Sequence, residues 1–518
     1  MPVSKRAIAA YLDREFDDWR WMKSLSHRQL DEELARLRPR PVFKTEPWLH
    51  QKVSFLLGAT MPRFLFLLVM GAGKTKIMAD LMTHYLRSGR MERALVTVPR
   101  KLNTDSWEDD LAVHSDLECW PVSVANIEGK RELLLNPKGD VTVIDYPSLH
   151  LALSRKVPGK KGNVLEWHPR WVKYARQLYD FIGIDEVHKL ASHDTLWFQI
   201  MRQLTQEAEH VYGTTGTLFG KHVDNLWAPY YLVDGGETFG ETLGIMRAAM
   251  FEQEKMPKRG WKFIKRNTHQ LQRMIGHRSI SYTEDEAGLD LPRMVPRVSV
   301  CHMAEEQREH YMNAIQGIID AGGNKFQIDA QWLRLRQIIA GYLAWEDEYG
   351  KHVLPFKHNP KLDDMERLLD EMDDSKVIVC HDYVQTGELI CKRLKSLHIG
   401  HEWIYGGTKD QSAAKARFER DPDCRVLVMN SETGGTGNDG LQRVARYMLF
   451  YEAPTPPITR AQTEKRIHRP GQRHRTFAYD LVMAHSLDKT ILERCKAGID
   501  AHAEIINARV KKSFFLGE

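Results

Sequence analysis

Short apolar runs, each ending at a polar or glycine-containing turn, recur along most of the chain. They cover residues 64–70, 93–99, 140–146, 181–187 and 210–216, and then residues 376–382, 425–431, 446–452 and 475–482. Stretches with apolar residues at helical spacing separate them. Because strands that are buried on both faces form nearly continuous apolar runs, this alternation predicts parallel sheets covered by helices on both faces.

The same pattern divides the chain into five segments. We predict a helical N-terminal preface, a first α/β lobe, a helical interlobe region, a second α/β lobe and a helical basic tail, over residues 1–45, 46–240, 241–355, 356–490 and 491–518 respectively. The proline-bearing stretch of residues 349–362 predicts a hairpin or linker into the second lobe. The predicted fold class is therefore α/β, with two parallel-sheet lobes in tandem and helical insertions between them.

Composition is that of a globular protein. The chain of 518 residues is too long for one ordinary core, which favours two large domains. It contains 42% hydrophobic and 28% charged residues, with a mean hydropathy of −0.46. The net charge of +5 permits a polyanionic partner without requiring one.

Cysteine usage and the apolar runs indicate the compartment. Six cysteines are scattered without a C-x-x-C pair, which argues against a disulfide framework or a structural zinc site and fits a reducing environment. The N-terminus lacks the apolar core of a secretory signal, and the longest apolar run is too short to span a bilayer. We therefore expect a cytoplasmic protein with no membrane partner.

A glycine-rich turn in residues 67–78, LLVMGAGKTKIM, joins an apolar run to a predicted helix. Its candidate nucleotide-binding residues are Gly71, Ala72, Gly73, Lys74 and Thr75. Glycines let backbone N–H groups approach phosphate oxygens, the lysine would neutralise those oxygens, and the threonine hydroxyl would ligate Mg²⁺. Leu68 stands where such loops usually carry a first glycine, and a strand-to-helix turn without a ligand is the alternative.

An acidic pair, Asp185 and Glu186 in FIGIDEVHK, ends another apolar run. Ligands of open parallel sheets bind at the carboxyl ends of the strands. One carboxylate can hold Mg²⁺ while its neighbour polarises the attacking water, as NTP hydrolysis requires. A structural acidic pair at a helix N-terminus is one alternative, and a metal-only cluster with His188 and His193 is another. Together with the phosphate loop, the pair indicates an NTPase.

The order of these motifs, followed by TTGTLFG at residues 214–220, resembles that of the superfamily-two helicases, and in detail the Swi/Snf-type DNA translocases. MGAGKT is similar to the family's Met-Gly-Leu-Gly-Lys-Thr. LVTVPRKLNTDSWEDDL resembles its second block, with Trp107 in place, and TGTLFGKHVDNLW resembles its Thr-Gly-Thr-Pro block with Leu218 replacing the proline. The resemblance places Gln51 at the family's adenine-reading glutamine. It covers about residues 45–495, and the compactness suggests a phage or bacterial member.

The second lobe carries a stretch, RAQTEKRIHRPGQ, that is similar to the family's last motif. The matching positions are Gln462, Arg466, Arg469, Gly471 and Gln472. An Arg-x-x-Arg step would put both guanidinium groups on one helical face. The resemblance implies that these two arginines reach the γ-phosphate held by the first lobe, and that Gln462 belongs to the nucleotide site. A basic helix that contacts solvent or a phosphate backbone is the alternative.

Candidate DNA contacts come from three blocks that the family uses for DNA. VLVMNSETGGTGNDGLQ resembles the family's Ser-Thr-x-Ala-Gly-Gly-x-Gly block and contributes two of them. The predicted contacts are Arg100, Lys101, Tyr146, Ser431 and Thr433. Arg100, Lys101 and Tyr146 could equally be ordinary strand-end residues.

The resemblance implies two RecA-like lobes and an ATP- and Mg²⁺-dependent translocase on double-stranded DNA. Hydrolysis would open and close the interlobe cleft, with contacts to the DNA backbone rather than to bases, so binding would be sequence-tolerant and salt-sensitive. We expect a monomer that could displace a protein cargo from DNA. The alternatives are a helicase that separates strands of branched DNA or RNA, and an ATP-switched clamp on DNA.

Overall fold

The chain forms two compact units, Met1–Leu289 and Asp290–Glu518. The computed structural model describes residues 11, 14–69, 71–99, 101–159, 162–216, 223–253, 261–289, 291–320, 325–348, 350–432 and 440–498. None of the helices in this described part combines the length and the apolarity that crossing a bilayer would take. All six cysteines are free thiols.

The first unit is built on a parallel sheet. Its strands are β1 (Arg63–Leu68), β2 (Ala94–Val98), β3 (Cys119–Pro121), β4 (Val141–Asp145), β5 (Ser154–Gly159), β6 (Gly162–Trp167), β7 (Phe181–Asp185), β8 (His210–Thr215), β9 (Phe251–Gln253), β10 (Trp261–Phe263) and β11 (Ser279–Tyr282). Seven of them form the sheet, in the order β11-β1-β8-β7-β2-β4-β3, with every pairing parallel. Strands β5 and β6, and β9 and β10, form separate antiparallel hairpins.

Helices cover both faces of this sheet. They are α1 (His27–Arg36), α2 (Leu49–Thr60), α3 (Lys74–Arg87), α4 (Lys101–His114), α5 (Ile127–Leu135), α6 (Tyr146–Leu153), α7 (Pro169–Leu178), α8 (Leu196–Leu204), α9 (Trp227–Asp234), α10 (Leu243–Met250) and α11 (Thr268–Arg278). Successive side chains of a strand point to opposite faces. In β1, Leu65 packs into one hydrophobic cluster while Phe64 and Phe66 pack into another, so an apolar core lies on each side.

The second unit repeats the plan. Its strands are β12 (Met294–Cys301), β13 (Tyr342–Asp347), β14 (Gly350–Pro355), β15 (Lys376–His381), β16 (Gly400–Ile404), β17 (Cys424–Asn430), β18 (Ala445–Phe450) and β19 (Thr476–Met483). Six form a parallel sheet in the order β12-β19-β18-β15-β17-β16, and β13 pairs with β14 as an antiparallel hairpin. The helices are α12 (Glu305–Asp320), α13 (Lys325–Ala340), α14 (Pro360–Glu371), α15 (Val384–Ser396), α16 (Gln411–Arg420), α17 (Leu441–Val444), α18 (Pro457–Glu464) and α19 (Leu487–Lys496).

The predicted fold class is confirmed, because all nine apolar runs form strands of the two parallel sheets. The predicted helical interlobe region is divided between the units: β11 completes the first sheet and β12 lies at the edge of the second. The proline-bearing stretch of residues 349–362 contains β14, the second strand of the β13–β14 hairpin. The hairpin itself begins at Tyr342, earlier in the chain than we predicted. The boundaries of the five segments stay a prediction.

Candidate nucleotide site

The phosphate loop lies between the end of β1 and the start of α3. Gly71 and Gly73 have φ angles of 83° and 77°, the left-handed region that side-chain-bearing residues rarely adopt. A Cβ atom on Gly73 would also lie 2.2 Å from Nε2 of Gln51. The backbone angle therefore favours glycine at position 73, and a larger residue there would displace the Gln51 amide or the loop. The loop leads directly into the N-terminus of α3, where free N–H groups and the helix dipole favour an anion.

Gln51 supports the loop from α2. Its Nε2 donates to the carbonyl oxygen of Ala72 at 3.1 Å, and its Oε1 accepts the N–H of Trp48 at 2.9 Å. Nε2 of His50 lies 2.8 Å from the same Ala72 oxygen, and burial lowers the pKa of this histidine. The Gln51 amide is thus engaged at both ends by backbone of this chain. Its adenine-reading role stays a prediction.

The acidic pair lies at the carboxyl end of β7. Nζ of Lys74 is 3.3 Å from Oε1 of Glu186, which brings the two motifs into one ion pair. The other carboxylate oxygen, Oε2, accepts the Thr215 hydroxyl at 3.2 Å and lies 3.2 Å from Nδ1 of His188. Glu186 itself has a φ of 49°, which is unusual for a residue with a side chain.

The two carboxyl groups differ in their electrostatics. Burial alone would raise the pKa of Glu186, but the Lys74 ammonium and the contact with His188 hold it well below its usual range. Burial, and then the Glu186 charge, raise the pKa of Asp185. Glu186 is therefore the carboxylate that stays ionised, and Asp185 is the one whose charge an additional cation would stabilise.

The donor set fits Mg²⁺. Asp185 Oδ1 accepts the Thr214 hydroxyl at 2.8 Å, and Oδ2 lies 3.4 Å from Nε1 of Trp107. Each oxygen keeps a lone pair, and a carboxylate with a hydroxyl, here that of Thr75, is the hard-oxygen set that Mg²⁺ prefers. Within the described ranges, no group of three or more His, Cys, Asp or Glu residues is placed to hold a metal ion. The metal-only cluster with His188 and His193 is therefore not formed.

Tyr146 lies in the core rather than at the surface. Only 2% of it is exposed, and its hydroxyl donates to the backbone oxygen of Asp185 at 2.5 Å. Of the two interpretations left open from the sequence, the ordinary strand-end residue fits this position better than a DNA contact. Arg100, Thr433 and the side chain of Lys101 lie outside the described residues.

The motif of the second unit differs from the predicted geometry. Helix α18 contains Gln462 but ends at Glu464, so Arg466 and Arg469 lie in the turns that follow it. The expectation that both guanidinium groups share a helical face is wrong, because the helix stops before either residue. Arg466 is buried and Arg469 is partly exposed.

Ser431 lies at the end of β17 and is fully buried. Its N–H donates to the carbonyl oxygen of His381 at 2.8 Å, and its own carbonyl accepts the Thr463 hydroxyl at 3.2 Å. It therefore ties α18 to the carboxyl edge of the sheet. Its predicted contact with a DNA backbone stays a prediction.

Three residues of the first unit were missed by sequence reasoning: His50, Thr214 and Thr215. Each binds a predicted site residue, as described above. The signal was present, because His50 precedes Gln51 and both threonines open the block TTGTLFG. Their partners could not be assigned without the tertiary structure.

Known proteins resemble this chain in sequence. Residues 37–219 match the family model described as type III restriction enzyme, res subunit. The chain is 24% identical over 355 residues to a probable global transactivator of Orgyia pseudotsugata multicapsid polyhedrosis virus. The matched region covers 63% of this chain and 66% of that protein. It is 27% identical over 164 residues to a RAD54-like DNA repair and recombination protein of Drosophila pseudoobscura pseudoobscura, and 30% identical over 121 residues to the DNA repair and recombination protein RDH54 of Saccharomyces cerevisiae.

The two DNA repair matches cover 28% and 23% of this chain. The chain spans just under two thirds of the viral relative, at 66%, and only 21% and 13% of the two repair proteins. Among solved structures, the chain is similar to the Sulfolobus solfataricus SWI2/SNF2 ATPase core in complex with dsDNA, at 17% identity and a TM-score of 0.39. The alignment covers 89% of this chain and 92% of the Sulfolobus chain.

The glycine-rich loop and the acidic pair lie together at the carboxyl edge of a parallel sheet, which is the arrangement typical of phosphate-loop NTPases. Residues 37–219, which contain both motifs, are similar in sequence to the res subunit of type III restriction enzymes, and shorter stretches of the chain are similar to the two DNA repair and recombination proteins.

Proposed function

We propose that this protein is a DNA-dependent ATPase that uses ATP hydrolysis to move along double-stranded DNA. The observation that carries the proposal is the 3.3 Å ion pair between Lys74 and Glu186, since it unites the phosphate-binding and water-activating motifs. Relatives that are named DNA repair and recombination proteins support DNA as the partner. The resemblance of the motifs to those of Swi/Snf-type DNA translocases favours translocation over strand separation.

In the proposed reaction, water attacks the γ-phosphorus of ATP and the bond to the β-phosphate oxygen breaks, which releases ADP and phosphate. Lys74 leaves Glu186 for the β- and γ-phosphate oxygens, and the freed carboxylate accepts a hydrogen bond from the attacking water. Asp185 and Thr75 would hold Mg²⁺, which neutralises charge on the phosphates. Arg466 and Arg469 are proposed to stabilise the γ-phosphate during turnover, and Gln51 and Gln462 to assist nucleotide binding.

The decisive experiment measures ATP turnover without nucleic acid and with single-stranded DNA, duplex DNA and RNA. The wild type is compared with Glu186→Gln, and Glu209→Gln is the control because Glu209 is an exposed glutamate of the same unit. Duplex stimulation that Glu186→Gln abolishes and Glu209→Gln retains supports the translocase. Preference for single strands or RNA favours the helicase, and tight DNA binding without stimulated turnover favours the clamp.

We further propose that the protein acts in the cytoplasm as a monomer, on DNA of any sequence. Backbone contacts release counterions, so affinity for duplex DNA should fall steeply between about 50 and 200 mM salt. Binding to two unrelated duplexes across this range, together with the molar mass by light scattering, tests both points. A large difference between the duplexes, or a dimer mass, contradicts them.

A further inference from the structure

Capping interactions fix the position of Tyr146 at the start of α6. Asp145 precedes it and caps the helix, with Oδ1 accepting the N–H of Ser148 at 2.8 Å and Oδ2 accepting the Ser148 hydroxyl at 2.7 Å. Pro147 follows in the first turn, where its fixed φ suits a helix start. The sequence Asp-Tyr-Pro-Ser therefore fixes the backbone of Tyr146 at the carboxyl end of β4.

The Tyr146 hydroxyl donates to the carbonyl oxygen of Asp185. That carbonyl belongs to the peptide unit that joins Asp185 to Glu186. We propose that Tyr146 is a positioning residue that holds this peptide unit and thereby aims the Glu186 carboxylate at its catalytic position. The inference rests on the proposed ATPase function, in which Glu186 orients water.

The backbone of Glu186 explains why such a support is needed. Its φ of 49° is disfavoured for a residue with a Cβ, and such conformations persist only where the surroundings impose them. The side chain is held by Lys74 and Thr215, as described above. Tyr146 supplies the restraint on the preceding carbonyl, so the backbone and the carboxylate are fixed from opposite ends.

The Tyr146 hydroxyl also forms a hydrogen bond with Thr97 on β2. Its ring stacks on Trp197 of α8 at 6.0 Å between centroids. Burial, and then the charges of Asp185 and Glu186, raise the pKa of Tyr146 well above its usual value, so the hydroxyl keeps its proton and remains a donor.

Tyr146→Phe removes the donor and keeps the ring, and Tyr179→Phe is the matched control. Tyr179 belongs to the same hydrophobic cluster, is also 2% exposed, and donates its hydroxyl to a backbone carbonyl, that of Leu134. We expect Tyr146→Phe to lower kcat for ATP about tenfold, the effect of one orienting hydrogen bond. The KM for ATP and the DNA concentration for half-maximal stimulation should stay unchanged. Tyr179→Phe should keep wild-type kcat.

A double-mutant cycle with Glu186→Gln tests whether Tyr146 acts through Glu186 or independently of it. If Tyr146 acts through Glu186, adding Tyr146→Phe to Glu186→Gln lowers single-turnover hydrolysis by less than twofold, because coupled residues are not additive. An additive loss, an unchanged kcat in Tyr146→Phe, or an equal loss in Tyr179→Phe overturns the positioning role while the ATPase function stands. A raised half-maximal DNA concentration with normal kcat assigns Tyr146 to DNA instead. A wild type without turnover overturns the proposed function itself.

Discussion

Nζ of Lys74 and Oε1 of Glu186 lie 3.3 Å apart, although 112 positions separate the two residues in the chain. Both side chains are nearly buried, at 12% and 11% exposed. Because the pair is shielded from water, the ammonium strongly favours the ionised carboxylate. The residue predicted to bind phosphate thus also sets the charge of the residue predicted to orient water.

Replacement of Lys74 by methionine should abolish this coupling. We expect at least a roughly 100-fold loss of ATP turnover, because a charge-stabilising group at the phosphates is removed. The pKa of Glu186 should rise, since the ammonium that lowers it is gone. Steady-state ATPase assays test the first point. Lys189→Met, at an exposed lysine close in sequence to Glu186, should keep wild-type turnover.

Gly73→Ala tests the close approach between the loop and Gln51. A Cβ there would lie 2.2 Å from Gln51 Nε2, so either the Gln51 amide or the loop must shift, and turnover should fall about 100-fold. Gly89→Ala is the control, because Gly89 has a similar φ of 69° but no atom within 4 Å of an added Cβ. Both variants should lose about 1–2 kcal/mol of stability from the left-handed backbone. Equal turnover in the two would contradict the role of the Gln51 contact.

Glu452, which lies two residues after the end of β18, should make stability depend on pH. Burial raises the pKa of Glu452 to about 7. The Asp382 carboxylate also raises this pKa, whereas the charges of Arg336 and Lys361 lower it. The unfolded carboxyl ionises near its ordinary value of 4.5, so the folded state binds the extra proton between that pH and 7. Stability should therefore fall as pH rises through this window and become flat above it.

Glu452→Gln removes the titrating group. The difference in Tm between this variant and the wild type should grow in favour of the variant from pH 5 to pH 8, equivalent to about 1–3 kcal/mol. Scanning calorimetry across this range measures it. Glu388→Gln, at an exposed glutamate of α15, should show a constant difference. The same constant difference in Glu452→Gln would refute the raised pKa.

We expect substitution of Arg469 or Arg466 to lower kcat rather than the affinity for ATP. Removal of an arginine that stabilises a transferring phosphoryl group costs roughly 10³-fold. Because Arg469 is partly exposed, Arg469→Ala should show this loss without a change in Tm. Arg466 is buried, so Arg466→Lys is the gentler test, since lysine keeps the charge but loses the planar fork. Arg443→Ala, at an exposed arginine of α17, should keep wild-type kcat. Normal kcat in both test variants would exclude the proposed role of the two arginines at the γ-phosphate.

The elements that sequence predicted well are those with a local signal. All nine apolar runs are strands because a doubly covered parallel strand must be apolar along its whole length. Strand β16, GHEWI, was missed because its composition is polar, and it lies at a sheet edge where one side is open. Strand β12 was missed because it contains Pro296, which an edge position tolerates.

The candidate site divides in the same way. Sequence by itself determined which residues carry the chemistry, because a glycine-rich turn with Lys74 and a strand ending in Asp185 and Glu186 have recognisable local patterns. Only the tertiary structure decided which groups meet: Lys74 pairs with Glu186, and Tyr146 lies beneath Asp185 instead of at the surface. The physical reason is the distance along the chain over which each kind of interaction acts. Periodicity and turn chemistry act over a few residues, whereas distances between strands far apart in the chain are set by how the sheet and its helices pack.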